Sequence, residues 1–336
     1  MTALRSLATC LVAALLATAC SAPKDRVRIE GKIEGIKQAE FYVYNDDKAN
    51  PDIDTIRIED GKFSYERVLG TPTVLTLLYP NFSQTYVVGE PGKVIRMKGN
   101  AAKLGEADIS GSEENELLTD FRLQNADKKV GEAEMAAADF IRSHPKTLAA
   151  VAVFKKYFEH VETPDAKTAL SLLDVLTREQ PRNTPLAATA RRLRPWLNNA
   201  AGQALPDFRV ETLTGRTLTR ADLSGHPALV VFWASWSNAS NEMTGRLKRI
   251  HRAHGNRLRI LSVSLDTDLR ACRRRAERDS TDALTVCDGK AFDSPMVETF
   301  GIRYVPGNLL IAADGRIIAR DVPAGKLEQN VERLLR

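Results

Sequence analysis

Cysteine is scarce in this chain. There are four in 336 residues, Cys10, Cys20, Cys272 and Cys287, none closer than ten residues to the next. No His, Cys or Asp cluster carries metal-ligand spacing, and the glycines follow no phosphate-loop pattern, so no metal, nucleotide or other cofactor is expected. The 48 basic and 43 acidic residues are spread along the chain, with no long basic block behind the formal charge of +5. That distribution argues against a nucleic-acid partner. The apolar run Leu7 to Ala17 falls short of the roughly 20 residues that cross a bilayer, so it does not suit a membrane-spanning anchor.

What is present begins with that run. Met1 to Arg5 supplies one basic residue, the apolar core follows, and Thr18-Ala19 are small residues before Cys20; together these are the parts of a secretory signal over residues 1–19. Cys20 resembles the lipidated cysteine of bacterial lipoproteins, although Ala17 stands where Leu is commoner. The resemblance implies cleavage before Cys20, its acylation, and a short tether over 20–26. Acyl chains hold a protein on a membrane by burying methylenes at about 0.8 kcal/mol each. Ser21 is not an inner-membrane retention acid, so the expected address is the outer membrane of the cell envelope. Cys272 and Cys287 then remain as the only thiols, and in an exported, oxidising compartment they are candidates for one disulfide.

From Val27 to Ser112 the pattern is short β runs between turn residues. Thr55-Ile-Arg-Ile and Lys62-Phe-Ser-Tyr flank Asp60-Gly61, a strong hairpin signal, and an all-β sandwich over 27–112 is expected. Its strand order, the Pro91-Gly92 turn and Ile109-Ser-Gly-Ser112 resemble a small β domain of unknown function found ahead of TlpA-like domains. That resemblance implies a spacer or binding platform and names no catalytic residue. Between 113 and 200 apolar residues recur at three- and four-residue steps, and Pro145, Pro164, Pro181 and Pro185 cut the run into short helices of a linker region. His144 and His160 stand alone there and are expected to be ordinary surface or core residues.

A new module begins at Leu205-Pro-Asp-Phe208. Thr214-Gly215, Leu223-Ser-Gly225 and Ala228-Leu-Val-Val-Phe-Trp233 follow, then the strand Leu258 to Leu265, Tyr304-Val-Pro306, Asn308-Leu-Leu-Ile311 and the Asp314-Gly315 turn. These motifs resemble TlpA- and ResA-like, AhpC/TSA-type proteins over 205–336. The resemblance implies an α/β thioredoxin fold, a cis peptide before Pro306 opposite the active site, and thiol:disulfide oxidoreductase activity. Where the family carries Cys-x-x-Cys, this chain has Ser237-Asn-Ala-Ser240. Serine ionises far above physiological pH and forms no disulfide, so exchange at this site is expected to be absent. Acids that relatives place nearby are also missing: Val231 and Met243 stand there. Glu242 is one residue off, which turns a helical side chain by about 100 degrees. A serine nucleophile would need a positioned base, and His251 and His254 lie turns away along the same helix. Ser237 suits an N-cap instead.

Cys272, early in a helix from about Thr267 to Asp279, and Cys287, ending the strand Ala283 to Cys287, finish at similar heights. The helix descends about 10 Å and the strand climbs about 13 Å. A structural disulfide, two separate buried thiols and a working redox pair all stand as readings; a disulfide closing some fifteen residues would stabilise by roughly 3 kcal/mol. The first functional reading is a binding module. By the resemblance, a groove between Trp233, Trp236, Ser237, Val305 and Pro306 would hold an extended peptide or an envelope partner protein. The alternative is an oxidoreductase or antioxidant protein using Cys272 and Cys287. A third makes the thioredoxin-like unit a structural cap for the β domain.

Overall fold

A computed structural model describes residues 22–45, 52–161, 164–279 and 284–336. The expected signal segment and Cys20 lie outside the described residues. The chain divides between Thr189 and Ala190 into two compact units.

The first unit opens with eight strands: β1 (Arg26–Glu34), β2 (Gln38–Tyr44), β3 (Asp54–Glu59), β4 (Lys62–Val68), β5 (Thr73–Leu78), β6 (Gln84–Gly89), β7 (Val94–Asn100) and β8 (Asp108–Ser110). They form one sheet in the order β6-β5-β2-β3-β4-β1-β7-β8, with β1 and β7 parallel. Alternation of inward apolar residues puts Ile29, Phe41, Ile58, Leu77 and Ile95 on one face. Val87 of edge strand β6 and Ile109 of the opposite edge strand β8 belong to the same core, so the sheet curls round on itself. The all-β unit is therefore one barrel-like sheet, where two packed sheets were expected. Asp60 and Gly61 both take positive φ, 50° and 73°, between β3 and β4. A Cβ on Gly61 would come 2.8 Å from the Ile33 carbonyl oxygen.

Helices α1 (Glu113–Gln124), α2 (Val130–Ser143), α3 (Leu148–Phe154), α4 (Ala166–Glu179) and α5 (Thr184–Asn198) follow. Ser112 caps α1 by accepting from the Asn115 N–H. The Asn115 side chain then accepts from Val88 N–H at 2.9 Å and donates to Val88 C=O at 2.7 Å. Thr119 donates to Ile109 C=O at 2.8 Å, and Arg122 donates to the carbonyls of Gly105 and Ala107. One helix thus satisfies backbone groups at both edges of the curled sheet, which would otherwise be open to further pairing. His160 Nδ1 lies 2.7 Å from the Tyr86 hydroxyl, and His144 Nδ1 lies 3.2 Å from the Phe140 carbonyl.

The second unit is an α/β thioredoxin fold. After the hairpin β9 (Arg209–Glu211) and β10 (Thr217–Thr219) come β11 (Ala228–Trp233), α6 (Asn238–His254), β12 (Arg259–Ser264), α7 (Leu269–Asp279), β13 (Leu284–Cys287), α8 (Pro295–Phe300), β14 (Gly307–Ile311), β15 (Ile317–Arg320) and α9 (Ala324–Leu334). The sheet order is β13-β12-β11-β14-β15. Strands β11 to β13 run parallel, β14 pairs antiparallel with β11, and β15 pairs antiparallel with β14. Central β11 is buried on both faces: Val230 and Phe232 enter one core with Phe300, while Leu229 and Val231 enter the other with Met243 and Leu247. Covered on both sides, it can carry an unbroken apolar run. The last turns of α5 belong to this unit. Trp196 Nε1 donates to Asp321 at 3.2 Å, and Arg320 donates to the Trp196 carbonyl at 2.9 Å.

Candidate functional site

Strand β11 delivers the chain into a tight turn, Ala234–Ser237, from which α6 starts. Ser237 has extended backbone (φ −96°, ψ 117°), and its hydroxyl accepts from the Ser240 N–H at 3.2 Å. Ser240 Oγ in turn accepts from the Ala234 N–H at 3.3 Å. Both serines are buried, and both hydroxyls are engaged in holding the helix start, as an N-cap requires. His251 and His254 sit at the far end of α6, about 20 Å along the axis. Val231 and Met243 are core residues. Glu242 is exposed and faces Arg246 at 3.6 Å. This helix start holds neither a nucleophile nor a base from that set.

The register Phe232↔Gly307 sets the loop after β11 beside the loop before β14, at one end of the sheet's central strands. The Val305-Pro306 peptide is cis. Val305 packs against the core and Pro306 is half-buried. Trp236 is 62 % exposed and Tyr304, on the opposite loop, 52 %. Trp233 behaves differently from the expectation that it lines a groove: it is 5 % exposed. Its Nε1 donates to Ser262 Oγ at 2.7 Å and Arg275 lies over its ring at 5.9 Å. As the last residue of a strand covered on both faces, it turns into the protein. Ser237 likewise contributes a cap and little surface.

The same end of the sheet carries a polar cluster that the sequence pattern does not reveal. Asp266, two residues past β12, is 3 % exposed. Its carboxylate accepts from the Ser235 N–H and hydroxyl, each at 2.9 Å, and from the Ser264 hydroxyl at 2.9 Å. Cys287 is paired in register with Ser264, and its thiol donates to the Asp266 carbonyl at 3.5 Å. Cys272 and Cys287 are both free thiols. They lie close enough to influence each other, and no disulfide joins them. The interaction between the two thiols is the largest influence on each. It raises the Cys272 thiol, with burial adding to the rise, and it lowers Cys287 to about 7, with Ser264 and the Gly289 N–H adding to the fall against the cost of burial. Among the described residues no group of three or more His, Cys, Asp or Glu is placed to hold a metal ion.

Residues 27–118 match a domain of unknown function (DUF4369), and residues 201–320 match the AhpC/TSA family. Residues 201–320 form an AhpC/TSA-type thioredoxin-like domain. The thioredoxin-like protein YneN of Bacillus subtilis (strain 168) is 27 % identical over 63 residues, which are 19 % of this chain and 37 % of that protein. This chain thus spans a little over a third of that relative. Among solved structures, a thiol-disulfide oxidoreductase from Bacteroides fragilis is 27 % identical, with 39 % of this chain and 99 % of that one covered and a TM-score of 0.37. The thioredoxin domain of a thiol-disulfide oxidoreductase from Bacteroides vulgatus is 23 % identical, with 41 % and 99 % covered and a TM-score of 0.38. Among the described residues no helix is long and apolar enough to cross a membrane.

Proposed function

We propose that this chain is an exported, lipid-anchored protein of the cell envelope. In this reading the AhpC/TSA-type domain binds an extended segment of a partner protein or peptide and performs no thiol exchange at positions 237 and 240. Cys20 is the lipid attachment point, and the outer membrane the address. Ser237 and Ser240 hold the place of the redox pair, and the β domain serves as a spacer or platform.

The observation that carries this reading is the pair of large exposed aromatics, Trp236 and Tyr304, on two loops that the β11–β14 register brings to one end of the sheet. Aromatic anchors dominate the energetics of protein recognition. Between them the 304–306 backbone precedes the first ladder residue of β14, where an added extended segment can pair.

Carboxymethylated lactalbumin, a permanently unfolded chain without free thiols, is a suitable probe. Binding by the full chain is expected to weaken about 30-fold in Trp236→Ala and in Tyr304→Ala, the cost of losing one aromatic anchor. Equal binding by both variants and the parent, or none by the parent, would remove the groove reading.

A further inference from the structure

The carboxyl end of the parallel strands brings together two thiols that the groove does not use. Cys287 closes β13, the edge strand of the sheet, and is partly exposed. Cys272 sits in the first turn of α7, where the Asp268 carboxylate caps the helix by accepting from the Arg270 and Ala271 N–H groups at 2.8 and 3.1 Å. The crossover from β12 through α7 to β13 packs that helix against β13, and the two thiols lie close enough there to shift each other's ionisation. Their surroundings are unequal. Cys272 is fully buried, whereas Cys287 reaches solvent. Ser264, paired in register with Cys287, donates to the buried Asp266 carboxylate at 2.9 Å and influences the ionisation of both thiols.

We propose that Cys287 and Cys272 form a thiol–disulfide exchange site, with Cys287 the attacking sulfur and Cys272 the resolving one, whose substrate is a disulfide of an exported protein or peptide. It goes beyond the groove reading and does not depend on it. The Cys287 thiolate attacks one sulfur of the substrate disulfide, forming a mixed disulfide and releasing the first substrate thiolate. Cys272 then attacks the Cys287 sulfur, forming the Cys272–Cys287 disulfide and releasing the second. Its proton leaves through Ser264 toward Asp266 and ends on a departing thiolate. The substrate disulfide gains two electrons and two protons, and the dithiol loses them. The asymmetry of the pair suits each role. A thiol held near 7 is substantially ionised at neutral pH, and a buried partner is protected from side reactions until a mixed disulfide forms beside it. A structural staple would need no such difference.

The test uses the full chain carrying Cys10→Ser and Cys20→Ser, so that only two thiols remain, treated with dithiodipyridine. This parent is expected to release two pyridinethiones and to end as an internal disulfide with no adduct, which dithiothreitol reopens. With Cys272→Ser added, one pyridinethione should be released and the pyridyl adduct kept on Cys287. With Cys287→Ser added, reaction should slow about a hundredfold or more, because the remaining thiol is buried and protonated. A parent that keeps an adduct, that reacts no faster than the Cys287→Ser chain, or whose internal disulfide resists excess dithiothreitol while folded overturns the proposal. Lactalbumin binding measured on the same variants reads the groove separately, since none of these substitutions touches Trp236 or Tyr304.

Discussion

At Cys287 the sulfur is met from four directions: by the Cys272 thiol of α7, by Ser264 of β12, by the Gly289 N–H of its own loop, and by the Asp266 carbonyl, to which it donates at 3.5 Å. The neighbouring Cys272 thiol is the largest of these influences, and the net effect lowers the thiol from its ordinary 9.0 to about 7. Because only the thiolate alkylates, the rate of Cys287 reaction with iodoacetamide should level off above pH 7 and fall tenfold per unit below it. Mass spectrometry of the alkylated chain across pH 5 to 9 reads that curve. A rate that still climbs toward pH 9 would show an ordinary thiol. How much of this was legible in the sequence differs residue by residue. Ser237 as a cap follows from residue type and position alone, and the approach of Cys272 to Cys287 follows from rise per residue. Asp266 does not follow, because an acid just past a strand acquires partners only once the register sets Ser235, Ser264 and Cys287 around it. Trp233 and Trp236 read alike in sequence. Only the point at which β11 leaves the sheet separates the core indole from the exposed one.

Among elements, the strands and helices follow closely from period-2 and period-3.6 patterns, and Asp60-Gly61 marked its hairpin. What pattern alone does not give is closure. Eight inward-facing apolar stripes suit two packed sheets or one curled sheet, and the choice is made by Asn115 and Thr119, polar residues of α1 that reach β6 and β8. The end of α5 is a second case. Its docking depends on Gly301, in the left-handed region (φ 60°, ψ 45°) just past α8, where a Cβ would lie 2.3 Å from the Trp196 nitrogen. Gly301→Ala should therefore cost more than about 2 kcal/mol in urea denaturation, from the backbone conformation and the clash together. Gly325→Ala, with open space around it in α9, should change stability by about 1 kcal/mol at most. Equal midpoints for the two variants would mean that the helix end is not seated against α8.

For the molecule as a whole, the consequence is where an independently folding piece begins. The sequence motifs of the thioredoxin-like module start at Leu205, but the compact unit starts at Ala190. The intervening residues are structural members of it. Arg320 donates to the carbonyls of Trp196, Asn199 and Gly301 at 2.9 to 3.3 Å. Asn199 donates to Thr299 C=O at 2.9 Å, and Arg303 and Arg320 both lie over the Trp196 ring. Gly202 and Gln203 exchange backbone hydrogen bonds with Ile317 on β15, covering what would be an open sheet edge. A fragment of residues 190–336 should accordingly unfold in one cooperative transition. A fragment of residues 205–336 leaves Arg320 without its acceptors on Trp196 and Asn199, and loses the Trp196 ring, a change of the kind that costs about 3–5 kcal/mol. Against the roughly 5–15 kcal/mol that holds a typical domain folded, that loss should lower the urea midpoint markedly and leave β15 prone to edge pairing. Coincident urea transitions for the two fragments, followed by circular dichroism, would show that the module is complete without the end of α5.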